Sequence, residues 1–146
     1  MIPDDKIDDI SIDPIRTQDP IRGLGRIRGD DSVSVVTSTL DFFGWSRLPL
    51  VVDGVADRQG IGTDRVGFRF PTDDDLDPGE EFEGVEIYNP LGTVHVSLDA
   101  FERLMVRFFH ALILGAEAYD EPITRTPWWQ TFKEQTARVA KRAHDA

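Results

Sequence analysis

The chain is 146 residues long, 40% hydrophobic and 29% charged, with no cysteine and a formal net charge of −11 at pH 7. That length suits one globular domain that hides roughly two thirds of its unfolded surface, and the lack of cysteine removes disulfides, thiolate nucleophiles and thiolate-bound zinc together. The start, Met1-Ile2-Pro3-Asp4-Asp5, is acidic where a signal peptide is basic and then apolar, and no window nears the ~18 apolar residues of a membrane span, so a soluble cytoplasmic protein is expected.

Charge is unevenly placed. Residues 1–28 hold six acids and five bases, residues 29–93 fourteen and four, and residues 94–146 seven of each. Nearly all of the net charge therefore sits mid-chain. Within residues 73–86 there are eight carboxylates (Asp73, Asp74, Asp75, Asp77, Glu80, Glu81, Glu83 and Glu86) and no base. Such a one-sided field attracts cationic partners and repels nucleic acids and anionic membranes. A basic protein partner is expected, with neither nucleic acid nor membrane; the competing explanation is a solvated loop that aids solubility.

In chain order, residues 1–31 come first as a flexible arm. Pro3, Pro14 and Pro20 interrupt regular structure, and Gly23, Gly25 and Gly29 loosen the second half. Asp13-Pro14-Ile15-Arg16 recurs as Asp19-Pro20-Ile21-Arg22, too short a repeat for a solenoid. Arg16, Arg22, Arg26 and Arg28 make its end basic, which suits an arm folded onto its own acidic body or one that contacts a partner. The arm carries few periodic apolar positions, so it is expected to bury little.

Residues 32–39, Ser-Val-Ser-Val-Val-Thr-Ser-Thr, are β-branched and alternate, which predicts a half-buried strand. Leu48-Pro49-Leu50-Val51-Val52 predicts a second strand, edge-like because of its proline. Asp53-Gly54 and Gln59-Gly60-Ile61-Gly62 have turn or loop chemistry. Val66-Gly67-Phe68-Arg69-Phe70 predicts another strand, stopped by Pro71, and the acidic loop follows. The strongest hairpin signal joins Val85, Ile87 and Tyr88 to Thr93-Val94-His95-Val96 through Asn89-Pro90-Leu91-Gly92, where proline presets φ and glycine accepts a positive one.

Two helices are predicted to close the chain. Ser97 is the expected N-cap of the first, with Asp99 complementing the dipole. Phe101, Leu104, Met105, Phe108, Phe109, Leu112 and Ile113 form its apolar stripe, with Glu102, Arg103, Arg107 and His110 placed opposite. Thr126-Pro127 opens the second helix, whose stripe uses Trp128 or Trp129, Phe132, Thr136, Val139 or Ala140 and Ala143. Strands first and helices last predict an α+β fold: a mainly antiparallel sheet with two C-terminal helices packed on one face, residues 32–146 forming a single domain.

Catalytic and metal motifs find little support. Gly23-Leu24-Gly25-Arg26-Ile27-Arg28-Gly29 is one residue too long for a dinucleotide loop and follows no predicted strand. Asp73, Asp75 and Asp77 match positions 1, 3 and 5 of a calcium loop, but Pro78 and Gly84 stand where glycine and glutamate are needed. His95, His110 and His144 have no zinc-motif spacing, and no Gly-x-Ser-x-Gly occurs. The expectation is a non-enzyme with no cofactor and no metal. Phe42, Phe43 and Trp45 are either a satellite core or an exposed binding cluster.

Residues 82–113 resemble a bacterial immunity protein of the polymorphic-toxin or contact-dependent growth inhibition type. The resemblance lies in the strand Glu83-Gly84-Val85-Glu86-Ile87-Tyr88, the Pro-Leu-Gly turn, the strand Thr93-Val94-His95-Val96, and Ser97-Leu98-Asp99-Ala100-Phe101-Glu102 opening a helix. It covers about a fifth of the chain and is one of composition and order. It implies a protein that binds and neutralises one cognate toxin domain, a basic nuclease-like one, through its acidic surface. Partner contacts would then come from Asp73, Asp74, Asp75, Asp77, Glu80, Glu81 and Glu83, with Phe42, Phe43 and Trp45 as the shaped element. The alternatives are an acidic adaptor that recruits a basic protein without inhibiting it, and a small enzyme using His95 with nearby carboxylates.

Overall fold

A computed structural model describes residues 1–14, 27–43, 45–73 and 76–145. In chain order the elements are helix α1 (Asp4–Asp8), strands β1 (Ser11–Ile12) and β2 (Ile27–Arg28), helices α2 (Ser34–Phe42) and α3 (Leu48–Asp57), strands β3 (Ile61–Gly62), β4 (Gly67–Arg69), β5 (Val85–Asn89) and β6 (Gly92–Val96), and helices α4 (Leu98–Ala118) and α5 (Pro127–Asp145). Strands β3-β4-β5-β6 form an antiparallel meander, and β1 and β2 pair separately. The fold is α+β, as expected. Three of its helices, however, precede the four-stranded sheet, and two of them, α2 and α3, stand where strands were expected.

Both departures have the same cause. Val33, Val36, Thr39, Leu40 and Phe43 are all buried, and their spacing of three or four is that of a helix face. The β-branched run could form a strand by propensity, but burial of this face decides otherwise. Asp30 starts the turn, its carboxylate accepting from the Ser32 backbone N–H at 2.8 Å. In α3, Leu48, Val51, Val52, Val55 and Ala56 are buried at i, i+3, i+4, i+7 and i+8, and Pro49 falls in the first turn, where its missing N–H costs nothing. Gly54, expected in a turn, lies mid-helix. A Cβ there would stand 2.6 Å from Ile61 Cγ2, so the glycine lets β3 approach α3.

The hairpin and the long helix match expectation. Register pairs Val85 with Val96, Ile87 with Val94 and Tyr88 with Thr93. Asn89 closes the turn by accepting from the Leu91 N–H at 2.7 Å. Its amide also donates to the Val35 carbonyl and the Thr39 hydroxyl, both at 2.9 Å, tying the hairpin to α2. Ser97 caps α4 by accepting from the Ala100 N–H at 3.1 Å. Phe101, Leu104, Met105, Phe108, Phe109 and Leu112 are buried, each worth about 1.5–3 kcal/mol of apolar burial. Phe101 meets Phe68 and Phe70 on the inner sheet face, with ring centres 5.2 and 5.8 Å apart. Helix α5 packs on α3 and α4, with Phe132 against Phe109 at 5.6 Å. Thr126 precedes α5 as expected, but its hydroxyl turns to the Ile123 carbonyl at 2.8 Å.

Two polar expectations are corrected. Glu102, placed on the outward side of α4, is buried between Arg58 (2.8 Å) and Arg142. Arg142 also donates to the Ala56 and Val55 carbonyls at 2.8 and 2.9 Å, satisfying the C-terminal end of α3. The expectation that residues 1–31 bury little fails over their described part. Ile7 and Ile10 are fully buried and Ile27 is buried. Helix α1 lies on α4, with Arg103 forked onto Asp8 at 3.0 and 3.1 Å and Arg107 donating to the Ile7 carbonyl at 3.0 Å and to that of Ile10. Burial lowers the Arg107 pKa from its ordinary value. Arg16, Arg22 and Arg26 lie outside the described residues.

Candidate functional site

Alternation along the meander sorts the sheet into two faces. Phe68, Val85, Ile87, Asn89 and Val96 point inward and are buried. On the other face, register brings Arg69, Glu86 and His95 into one row, and Gly62, Gly67, Tyr88 and Thr93 into the next. Gly62, Arg69, Glu86, Tyr88 and Thr93 of this outer face border an open concavity of about 1360 Å³. Asp57, Asp64, Asp73, Asp77, Glu80 and Glu86 line it, against Arg58, Arg65 and Arg69.

The first row joins two ion pairs to a histidine contact. Arg69 contacts Glu86 at 3.5 Å and Glu80 at 3.1 Å. His95 Nε2 stands 3.2 Å from the other Glu86 oxygen. Phe82 leans on the His95 ring at 5.4 Å. Glu86 is 18% exposed and Arg69 26%, so the row is accessible while its members are held from both sides. Bonding to Arg69 and, next, to the Asp77 N–H lowers the Glu80 pKa below its ordinary value.

In the second row, Tyr88 lies over two glycines. A Cβ on Gly62 or Gly67 would come within 2.7 or 2.9 Å of the Tyr88 hydroxyl. That hydroxyl donates to the Thr63 carbonyl at 2.8 Å. The glycines thus serve close approach of the two strand backbones and of the Tyr88 hydroxyl.

Of the expected partner contacts, Asp73 also holds the fold together. One of its oxygens accepts from the Gly60 N–H at 2.9 Å and the other from the Phe70 N–H at 2.8 Å. It pins the end of β4 to the α3–β3 connection while still lining the concavity. Asp77, Glu80, Glu81 and Glu83 are exposed, and Glu80 is shared with Arg69. Asp74 and Asp75 lie outside the described residues. The aromatic trio does not form one exposed cluster. Phe43 is buried edge-on against Phe68 at 6.0 Å, while Phe42 is 53% exposed; the Trp45 side chain lies outside the described set.

Arg69, Glu86 and Tyr88 were not singled out from sequence as contacts. Their signal was the alternation of β4 and β5, which places them opposite the buried positions. Among the described residues, no group of three or more His, Asp or Glu side chains is arranged to hold a metal ion, and no helix is long and apolar enough to cross a membrane. No protein-family model matches the chain, and no curated protein shows significant similarity to it.

Proposed function

We propose that this protein is an immunity protein: it binds a cognate bacterial toxin domain with a basic, nuclease-like substrate groove and neutralises it without catalysis. The observation that carries this reading is the carboxylate excess around the concavity, six acids to three arginines, in the segment that holds nearly all of the net charge. A groove built to receive phosphates accepts carboxylates spaced over a shaped surface. The exposed acids Asp77, Glu81 and Glu83 supply long-range attraction.

Growth of cells expressing the toxin encoded beside this protein tests the reading. Co-expression is expected to restore growth against that toxin and not against unrelated ones. Failure to protect at good expression would remove the immunity function and favour recruitment of a basic protein without inhibition.

A further inference from the structure

We infer that the partner docks on the solvent-open face of the four-stranded sheet, centred on Tyr88, Glu86 and His95, and that the occupant is a basic protein segment presenting arginine or lysine to Glu86. This rests on the immunity reading and deepens it by naming the surface. The acidic loop then acts on encounter, and the sheet face decides which partner stays.

Three features of the face converge. Helix α2 covers the inner side of the sheet through Asn89, whereas Arg69, Glu86, Tyr88 and Thr93 on the outer side border the concavity of about 1360 Å³, with His95 beyond its rim. The Tyr88 hydroxyl reaches the Gly62–Gly67 pair and is tethered to the Thr63 carbonyl. Such a preordered, amphipathic ring loses little entropy on binding and suits an interface anchor. The charge pattern is mixed but weighted to acid. Glu86 is held by Arg69 and His95, so an incoming cation meets a carboxylate already in position, while Arg58, Arg65 and Arg69 repel a partner whose cations fall out of register. Phosphate polymers are excluded by the same excess of carboxylates.

Thr93 provides the test because it is exposed and lies beside Tyr88 on the outer face. Thr93→Arg adds bulk and like charge to the docking face. Leu114→Arg on α4, 60% exposed, makes the same addition elsewhere. The probe is the purified, catalytically inactivated toxin domain encoded beside this protein, with affinity measured by calorimetry and folding by thermal midpoint. Thr93→Arg is expected to weaken binding roughly 100-fold at an unchanged midpoint, and Leu114→Arg by about two-fold or less. Wild-type affinity in Thr93→Arg would overturn the sheet-face assignment and leave the immunity reading standing. No binding by the wild-type protein would overturn both.

Discussion

Glu102 and Glu86 are each flanked by two basic side chains, yet their surroundings are opposite. Glu102 is 3% exposed and joins Arg58 at the end of α3 to Arg142 on α5. Glu86 is 18% exposed and joins Arg69 on β4 to His95 on β6, at the edge of the open concavity. A carboxylate withdrawn from water must keep its partners, because losing one leaves an uncompensated charge in a poor solvent. One that still meets water gains little from pairing and keeps its capacity to exchange partners. The same chemistry thus ties three helices together in one place and leaves a surface ready for an external cation in the other.

The largest expected effect tests whether ties between elements work through charge or through what they bring to the core. A chain beginning at Asp31 loses the fork of Arg103 on Asp8, but also buried Ile7, Ile10 and Ile27. Its stability in urea is expected to fall by about 4 kcal/mol or more, mostly from lost apolar burial. Retention of the full midpoint would show that α1 contributes nothing to the core.

The two carboxylates themselves give the next contrast. Glu102→Ala is expected to cost about 3 kcal/mol, because Arg142 stays partly buried without its counter-ion; Glu86→Ala is expected to cost less than about 1 kcal/mol. Equal losses in chemical denaturation would break the comparison.

The smallest effect concerns Asp30, an exposed carboxylate that bonds Ser32 and then Lys6, with its pKa lowered from 3.8 to about 2. Its folded value lies below the unfolded one, so its contribution is present above about pH 3.8 and fades as pH falls toward about 2. Thermal midpoints of the wild type and Asp30→Asn should separate above pH 4 and converge near pH 2. A constant gap across that range would mean that the Asp30 charge is irrelevant to the turn before α2.

Much of the candidate site was legible as alternation. Glu86 and Tyr88 fall opposite Val85 and Ile87, and Arg69 opposite Phe68, so the two sheet faces could be drawn from the chain itself. The bonds of Asp73 to the backbone were hidden, because a carboxylate accepting backbone N–H groups has the same letter as one bonded only to water. Glu102 was hidden for a related reason: one position on a helical wheel separates a buried flank from an exposed one, and the cations that make burial tolerable come from residues 58 and 142.

By itself the sequence determined the hairpin, β4, the cap and stripe of α4, the start of α5 and the mid-chain concentration of acid. Each is written in local spacing, turn chemistry or charge count. Tertiary structure alone decided that residues 34–42 and 48–57 are helices, that the chain's first residues belong to the core, and which carboxylates remain available. Those outcomes depend on partners distant in the chain: Asn89 for α2, Ile61 for Gly54, Arg107 for α1 and Arg142 for Glu102. A β-branched or proline-bearing segment has two conformations close in energy, and only the surface it finally buries against separates them.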